Sequence, residues 1–503
     1  MNKNKKNIKS KQKSFEFFKF LISKEQLPDW ILMFVVCLAG YIILKICYPF
    51  PNCISDSLGY IYAAEKSQFY FYRPYGFSYF LELVHAISPS VHAVFISQMI
   101  IYFISTVIFA FTIKYFFKPR NKIVWYVLLF VFTLSPMGFR LANNILSDLI
   151  YGATIYIMIA AFIFIVKKRS WFALIALTIF LFFSLHIRYS SIIFPIVFIA
   201  LLFMVKGIKK WIGIVAMVFV TFVFYNQVKS WMKSTTKINQ YSTGFDGWQM
   251  ANNALHIIPF TDIDANSFKN PEVKKLHEFV ITQKDSISFI TKNGTYATAG
   301  FLWSKTMPLK LYLAKQIKEK SSTYTRTWIK LGSTTYSEYG RTLIMKHPIQ
   351  FFKYYFMPNS KGIVYPERTE VISHEEPIKS AKNTAYYNIP EDTDTSNKHE
   401  IYKNFLAKTD QIIWAVQWIF ILGISILGII YRKKMDFSKE DKKVFWGIFA
   451  FAVIYYGSIV FASPIAFRYW FAIRCVNFAC FYILLNKLIE LKQKKKLISQ
   501  NGQ

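Results

Sequence analysis

The chain has 503 residues, 54% of them hydrophobic and 19% aromatic, and a formal net charge of +33 from 61 Lys+Arg against 28 Asp+Glu. Crossing a hydrocarbon core of roughly 30 Å takes about 20 apolar residues per helix. Runs of that length recur along the chain, which excludes a soluble enzyme and predicts an all-α polytopic membrane protein. The basic residues sit in short clusters between these runs, where membrane topology accounts for them, so no nucleic-acid partner is expected.

Residues 1–28 form a basic N-terminus. Phe15, Phe18, Leu21 and Ile22 share one helical face there, expected to lie in the inner membrane interface. Charges and Pro28 interrupt this stretch and no small-residue cleavage site follows, so it does not read as a cleavable signal. Ten membrane helices are predicted near 29–48, 93–117, 123–139, 149–166, 171–187, 190–206, 211–228, 411–430, 444–463 and 469–488. With that count the basic N-terminus, KPRNK at 118–122, KKR at 167–169, KGIKK at 206–210, the cluster at 431–443 and KQKKK at 492–496 all fall on one side. By the positive-inside rule that side is the cytoplasm, and both termini lie there. Richness in Lys, Asn, Ile and Phe suggests an AT-rich bacterial genome, and hence a bacterial cytoplasmic (inner) membrane.

The chain divides into the N-terminus 1–28, a transmembrane core 29–228, an extracytoplasmic segment 229–410, C-terminal transmembrane helices 411–490 and a basic tail 491–503. Lys45, near the outer end of the first helix, reads as a snorkelling lysine. Within the core an outer loop, 49–92, is too polar to span but has helix-like stretches at 56–67 and 76–87. Phe77, Phe80, Leu81, Val84 and Ile87 make an apolar stripe, as expected of amphipathic helices on the outer leaflet. In 229–410, helical stretches are expected around 246–257, 271–282, 307–320 and 332–346. KHPIQFFKYYF at 346–356 reads as an amphipathic return toward the membrane surface, and 366–400 as loop-rich.

Between residues 49 and 228 the acids are Asp56, Glu65, Glu82 and Asp148, all assigned to the outer side. Acids at helix mouths are costly unless solvated, paired or functional. Asp56, in SDSLGYIYAAE, is the candidate catalytic base, with helix capping by Ser55 or Asp56 as the structural alternative. Asp148 opens the fourth helix, with the same alternative. Glu65 and Glu82 read as solvated helix faces. Arg73, Arg140, Arg188, Arg468 and Arg474 map near the same rim, where positive-inside logic disfavours arginine. They call for an anionic partner, and a lipid-linked phosphate has the right chemistry, with interfacial anchoring or pairing to Asp148 as the alternative. His186 lies beside Arg188 as a further candidate for a phosphate contact or for packing. His85 and His92 complete no metal site, the five cysteines form no CxxC, and no GxGxxG, P-loop or GxSxG motif is present.

Four features together resemble the GT-C superfamily of membrane glycosyltransferases, in particular protein mannosyltransferase-like and aminoarabinose transferase-like bacterial members. They are the acid after the first helix (Asp56 in DSLGYIYAAE), the stretch FYRPYGFSYFLEL (Arg73, Pro74, Gly76), the second outer acid Asp148, and the late Arg468–Tyr469 pair. The likeness is best over 29–228 and looser over 411–488. It departs in that Ser57 follows Asp56 where several relatives have a second acid, and Tyr75 stands at the second proline. The resemblance implies a polyprenyl-phosphate-sugar donor and a lipid-linked, glycan or protein acceptor. It implies Asp56 as base, Arg188, Arg468 and Arg73 on the donor phosphate, and Asp148 orienting the acceptor or sharing a divalent cation with Asp56. An O-antigen ligase or polysaccharide polymerase that relies on arginine and histidine is the first alternative, and a transporter or flippase the second.

Overall fold

The computed structural model describes residues 16–292, 302–364, 378, 385–398 and 400–501. Among these residues the chain is helical, with no strand and one isolated bridge between Asn52 and Asn144. Among the described residues eight helices are long and apolar enough to cross a membrane: Lys24–Cys47, Val91–Phe116, Lys122–Ala142, Asp148–Lys168, Ile208–Thr236, Lys408–Tyr431, Lys439–Ala462 and Phe467–Lys495. The protein is therefore a multi-pass membrane protein.

The expected count of ten changes at 171–187 and 190–206. The first is a 17-residue helix, Trp171–Ile187, about 26 Å long at 1.5 Å per residue. The second is a short 3-10 stretch, Tyr189–Ile193, followed by the nine-residue helix Phe194–Leu202 with Pro195 in its first turn. The pair still links the two ends of the bundle. Arg188 at its turn meets Asp148, while Lys209 just beyond it meets the Arg169 carbonyl.

Asp148–Lys168 is apolar on all sides and is the most buried of the eight spans. It packs against Val91–Phe116, Trp171–Ile187 and the 3-10 stretch Phe467–Ile473. Gly152 makes the last contact possible, since a methyl group there would overlap the Phe471 ring. Tyr156 adds a hydrogen bond to the Phe471 carbonyl at 3.2 Å. Gly152→Ala is expected to cost about 1–3 kcal/mol through overpacking, read as a lower thermal midpoint of the detergent-solubilised protein.

The basic segments gather at one end. Lys114 pairs with Asp29, Lys167 with Asp441, and Arg120 with Glu490 at 3.4 Å. The N-terminal stretch joins this end differently from the expected Phe15/Phe18/Leu21/Ile22 face; Phe15 lies outside the described residues. Phe17 and Phe20 pack on Tyr115, Phe164 and Phe111, whereas Phe18 and Ile22 are exposed. Lys45 does not snorkel outward. Its ammonium turns in to the Asn143 side chain at 3.0 Å and to the Tyr48 and Pro49 carbonyls.

The outer-loop stretches are helices Ser55–Glu65 and Gly76–Ile87. Of the expected stripe, Phe77, Leu81 and Val84 are buried in a cluster with Tyr60, Ile61 and Ile145, and Ile87 alone is well exposed. The stripe therefore covers protein rather than lipid. In the large segment the expected stretches become Phe245–Ala254, Pro271–Ile281, Pro308–Lys320 and Ser337–Lys346, packed around Trp248 and Trp328 with ring centroids 4.4 Å apart. The expected loop-rich 366–400 falls largely outside the described residues.

The large segment is tied to the bundle by two asparagines. A helix ends with carbonyls that lack intrahelical partners. At the end of Lys439–Ala462, Asn253 donates to the Phe461 and Ala462 carbonyls, both at 3.0 Å. Asn359 donates to the carbonyls of Val460 (2.9 Å) and Ser463 (2.8 Å) and accepts from the Ile465 amide (2.8 Å).

Candidate functional site

Five charged side chains meet at the end of the bundle opposite the basic segments, since Asp148–Lys168 runs from Asp148 here to Lys167 there. Asp56 sits in the first turn of Ser55–Glu65. The residue before that helix is Ile54, whose amide is met by Ser57 Oγ at 3.0 Å, so Asp56 is not its cap. Its two oxygens go instead to two arginines: Oδ1 to Arg73 Nη2 at 2.6 Å and Oδ2 to Arg468 Nη2 at 3.1 Å. Asp148 opens its helix without a side-chain cap from Ser147, and pairs with Arg188 and, at 3.5 Å, with Arg468 Nε. A carboxylate there is also favoured by the positive end of the helix dipole.

The three arginines arrive on different elements. Arg73 lies in the aromatic turn between Ser55–Glu65 and Gly76–Ile87. It donates to Tyr60 Oη at 3.2 Å and covers the Tyr60 ring at 4.8 Å. Tyr60 stands four residues after Asp56, on the same helix face, and its hydroxyl also meets Ser147 Oγ at 2.9 Å. Arg188 is the extended residue that ends Trp171–Ile187. Its guanidinium lies between the Tyr151 and Tyr469 rings, at 5.5 and 5.1 Å. Arg468 lies in the 3-10 stretch held by Phe471 in the Gly152 notch, and bridges both aspartates. With three guanidinium groups and two carboxylates the cluster carries net positive charge, and its arginines and Asp56 keep partial access to solvent.

Burial pushes the Asp56 pKa up, but Arg73, Arg468 and Arg188 together outweigh it and hold the carboxyl below its ordinary value. Asp56 is thus an ionised carboxylate whose proton affinity is suppressed by its partners. The large segment closes over the same turn: Tyr72 donates to Tyr324 Oη at 3.2 Å and packs edge-on against Trp328, and Phe69 stacks on Trp231.

All five residues expected at the site are therefore brought together, while others of the rim are not. Arg140 pairs with Asp410 at 3.2 Å, and Arg474 donates to the carbonyls of Val131 and Leu134. His186 does not face the cluster. Its ring bonds to the Phe182 carbonyl and to Gln227 Oε1. Glu65 pairs with Lys66, and Glu82 accepts from Tyr75. Among the described residues no three or more His, Cys, Asp or Glu side chains stand together as a metal site. The carboxylate oxygens of Asp56 and Asp148 are met by guanidinium groups, whose charge opposes a divalent cation, so the residues present do not fit a shared metal ion. Sequence reasoning missed Tyr60, Ser147 and Tyr151. The four-residue spacing from Asp56 was the one local signal for Tyr60.

No protein-family model matches the chain, and neither a curated protein nor a solved structure is found similar to it.

Proposed function

We propose that the protein is a GT-C-like glycosyltransferase of a bacterial cytoplasmic membrane, with both termini in the cytoplasm. It moves a sugar from a polyprenyl-phosphate donor to an acceptor hydroxyl on the outer face. The observation that carries this reading is the bridge made by Arg468 between Asp56 and Asp148, with Arg73 and Arg188 alongside. Three converging guanidinium groups suit the phosphate of the donor and the charge that develops as it leaves.

In this reaction the acceptor oxygen forms a bond to the anomeric carbon as the bond from that carbon to the phosphate oxygen breaks. The acceptor proton passes to Asp56, and the electron pair leaves with the polyprenyl phosphate, inverting the anomeric centre. A carboxylate held by two arginines is a weak base. The donor phosphate draws Arg73 and Arg468 toward itself, and this releases Asp56 at the moment when its basicity is needed. Asp148 keeps Arg188 in place and orients the acceptor, and the large segment covers the site and selects the acceptor, which is lipid-linked, glycan or protein.

The suppressed basicity of Asp56 favours one second reading, an arginine-centred ligase or polymerase acting on glycans carried by a polyprenyl diphosphate. Donor class separates the two. Purified protein in nanodiscs, given radiolabelled donors and membrane acceptors, is expected to transfer single sugars from polyprenyl monophosphate donors. Transfer confined to polyprenyl-diphosphate glycans would replace the first reading with the second.

A further inference from the structure

Outside the site, one surface has a pattern that neither core packing nor solvation explains. Residues 348–364 form one helical stretch containing a wide turn at Phe352–Phe356. Phe351, Tyr355 and Asn359 face inward, at a spacing of four, and are buried. Ile349, Phe352 and Met357 point away, 76%, 52% and 52% exposed, and Met345 on the preceding helix is 74% exposed. This is far more apolar surface than one helix normally leaves in water. Lys346, Lys353 and Lys361 are exposed beside it. No acid occurs between Glu338 and Glu367, while Arg341 and these three lysines do, so the stretch itself carries only basic charge.

The location identifies what covers it. The inward face is fastened to the end of the membrane-crossing helix Lys439–Ala462, with Phe351 against the Phe461 ring at 5.6 Å and Asn359 on the carbonyls of Val460 and Ser463. Phe461 itself is 43% exposed, so the lipid-facing side of that span runs directly into the exposed stripe. An apolar stripe with flanking lysines, continuous with a lipid-facing helix, has the composition of an element lying in a membrane interface. We infer that residues 348–364 lie in the bilayer surface, with Ile349, Phe352 and Met357 at the acyl boundary and Lys353 and Lys361 on anionic lipid headgroups. Asn359 then ties this lipid-seated helix to the turn that carries Ile465 and, three residues on, Arg468. The inference rests on exposure and charge and stands whatever reaction the site performs.

The test uses the full-length protein in nanodiscs with an environment-sensitive NBD probe on Phe352→Cys. Four native cysteines are buried and Cys480 is half-buried, so labelled wild type serves as the blank. A probe on Glu278→Cys, an exposed position on Pro271–Ile281, reports water. The expected result is a blue-shifted Phe352 probe, quenched about threefold by shallow nitroxide lipids and more strongly in phosphatidylglycerol than in phosphatidylcholine. Lys353→Gln with Lys361→Gln should remove the anionic increment and leave the protein folded, since both side chains are exposed. A Phe352 probe that emits like the Glu278 probe in both lipids would overturn the inference. So would a blue-shifted probe that lipid quenchers do not reach, which would mean that a second copy of the chain covers this face. Equal quenching in both lipids would overturn the assignment of the lysines to anionic headgroups.

Discussion

Asp56→Asn is expected to lower sugar transfer by about 10²–10⁴-fold, the usual worth of a general base, while binding of a polyprenyl phosphate becomes tighter. The two effects have opposite signs because Asp56 has two roles in the proposed reaction. As base it accepts the acceptor proton, which an amide cannot do. Before the donor arrives it occupies Arg73 at 2.6 Å and Arg468 at 3.1 Å, the groups that the phosphate needs. Removing its charge removes the competitor. Loss of turnover with weakened phosphate binding would show that Asp56 organises the arginines rather than competing for them, and full activity would remove it from the mechanism.

The pH dependence follows from the same geometry. In the proposed reaction Asp56 works as a base only when ionised, so activity should fall as pH drops through its pKa. In the empty site the arginines hold that pKa below the ordinary carboxylate range. In the proposed donor complex, where the phosphate draws them away, the pKa should rise. The acid limb of kcat, which reports the donor complex, should therefore lie at higher pH than the acid limb of kcat/KM, which reports the empty site. Coincident limbs would mean that the arginines stay on Asp56 throughout. The linkage to stability has a matching sign: a depressed carboxylate pKa contributes stability above the ordinary range, and that contribution is lost as pH falls through the folded value.

The second large effect concerns Asp410. Asp410→Ala is expected to destabilise the protein by about 3–5 kcal/mol, the typical consequence of breaking a buried ion pair from one side. Asp410 and Arg140 are only 5% and 6% exposed, joined at 3.2 Å, and the second Asp410 oxygen accepts from the Met137 amide at 3.0 Å. That amide lies in the first turn of Pro136–Ala142, where amides have no intrahelical partner. One carboxylate thus holds both an arginine and a helix start, and so joins Glu400–Tyr431 to the core. Thermal unfolding in detergent checks the single variant. The double variant Asp410→Leu with Arg140→Met should recover much of the loss, because the Arg140 guanidinium is then not left buried without its carboxylate. A double variant no more stable than the single would show that the helix start, rather than the charge, dominates.

Much of the helical layout is legible in the chain because its signals are local. Apolar runs locate the long spans, the four- and three-residue spacing of Phe77, Leu81 and Val84 locates Gly76–Ile87, and clustered lysines mark one end of the bundle. The same local signals mislead where packing chooses between faces. Phe18 and Ile22 are as apolar as Phe17 and Phe20, yet the second pair meets Tyr115 and Phe164. At 190–206 the run is apolar enough for a span, but Arg188 is drawn to Asp148 and a 3-10 stretch with Pro195 beyond it shortens the helix.

The candidate site divides in the same way. That Asp56, Asp148, Arg73, Arg188 and Arg468 are unusual follows from the sequence alone, because charge at the mouth of an apolar helix is costly wherever the helix packs. Which of the five rim arginines meet the acids does not, since Arg140 and Arg474 have the same residue type and a similar setting. Arg468 reaches Asp56 across 412 positions of chain. It does so because Gly152 leaves room for Phe471, and because Asn359 holds the turn at Ile465. Hydropathy and charge act over a few neighbouring residues and can be read along the chain. An ion pair is decided by which helices lie side in side, and only the tertiary structure determines that.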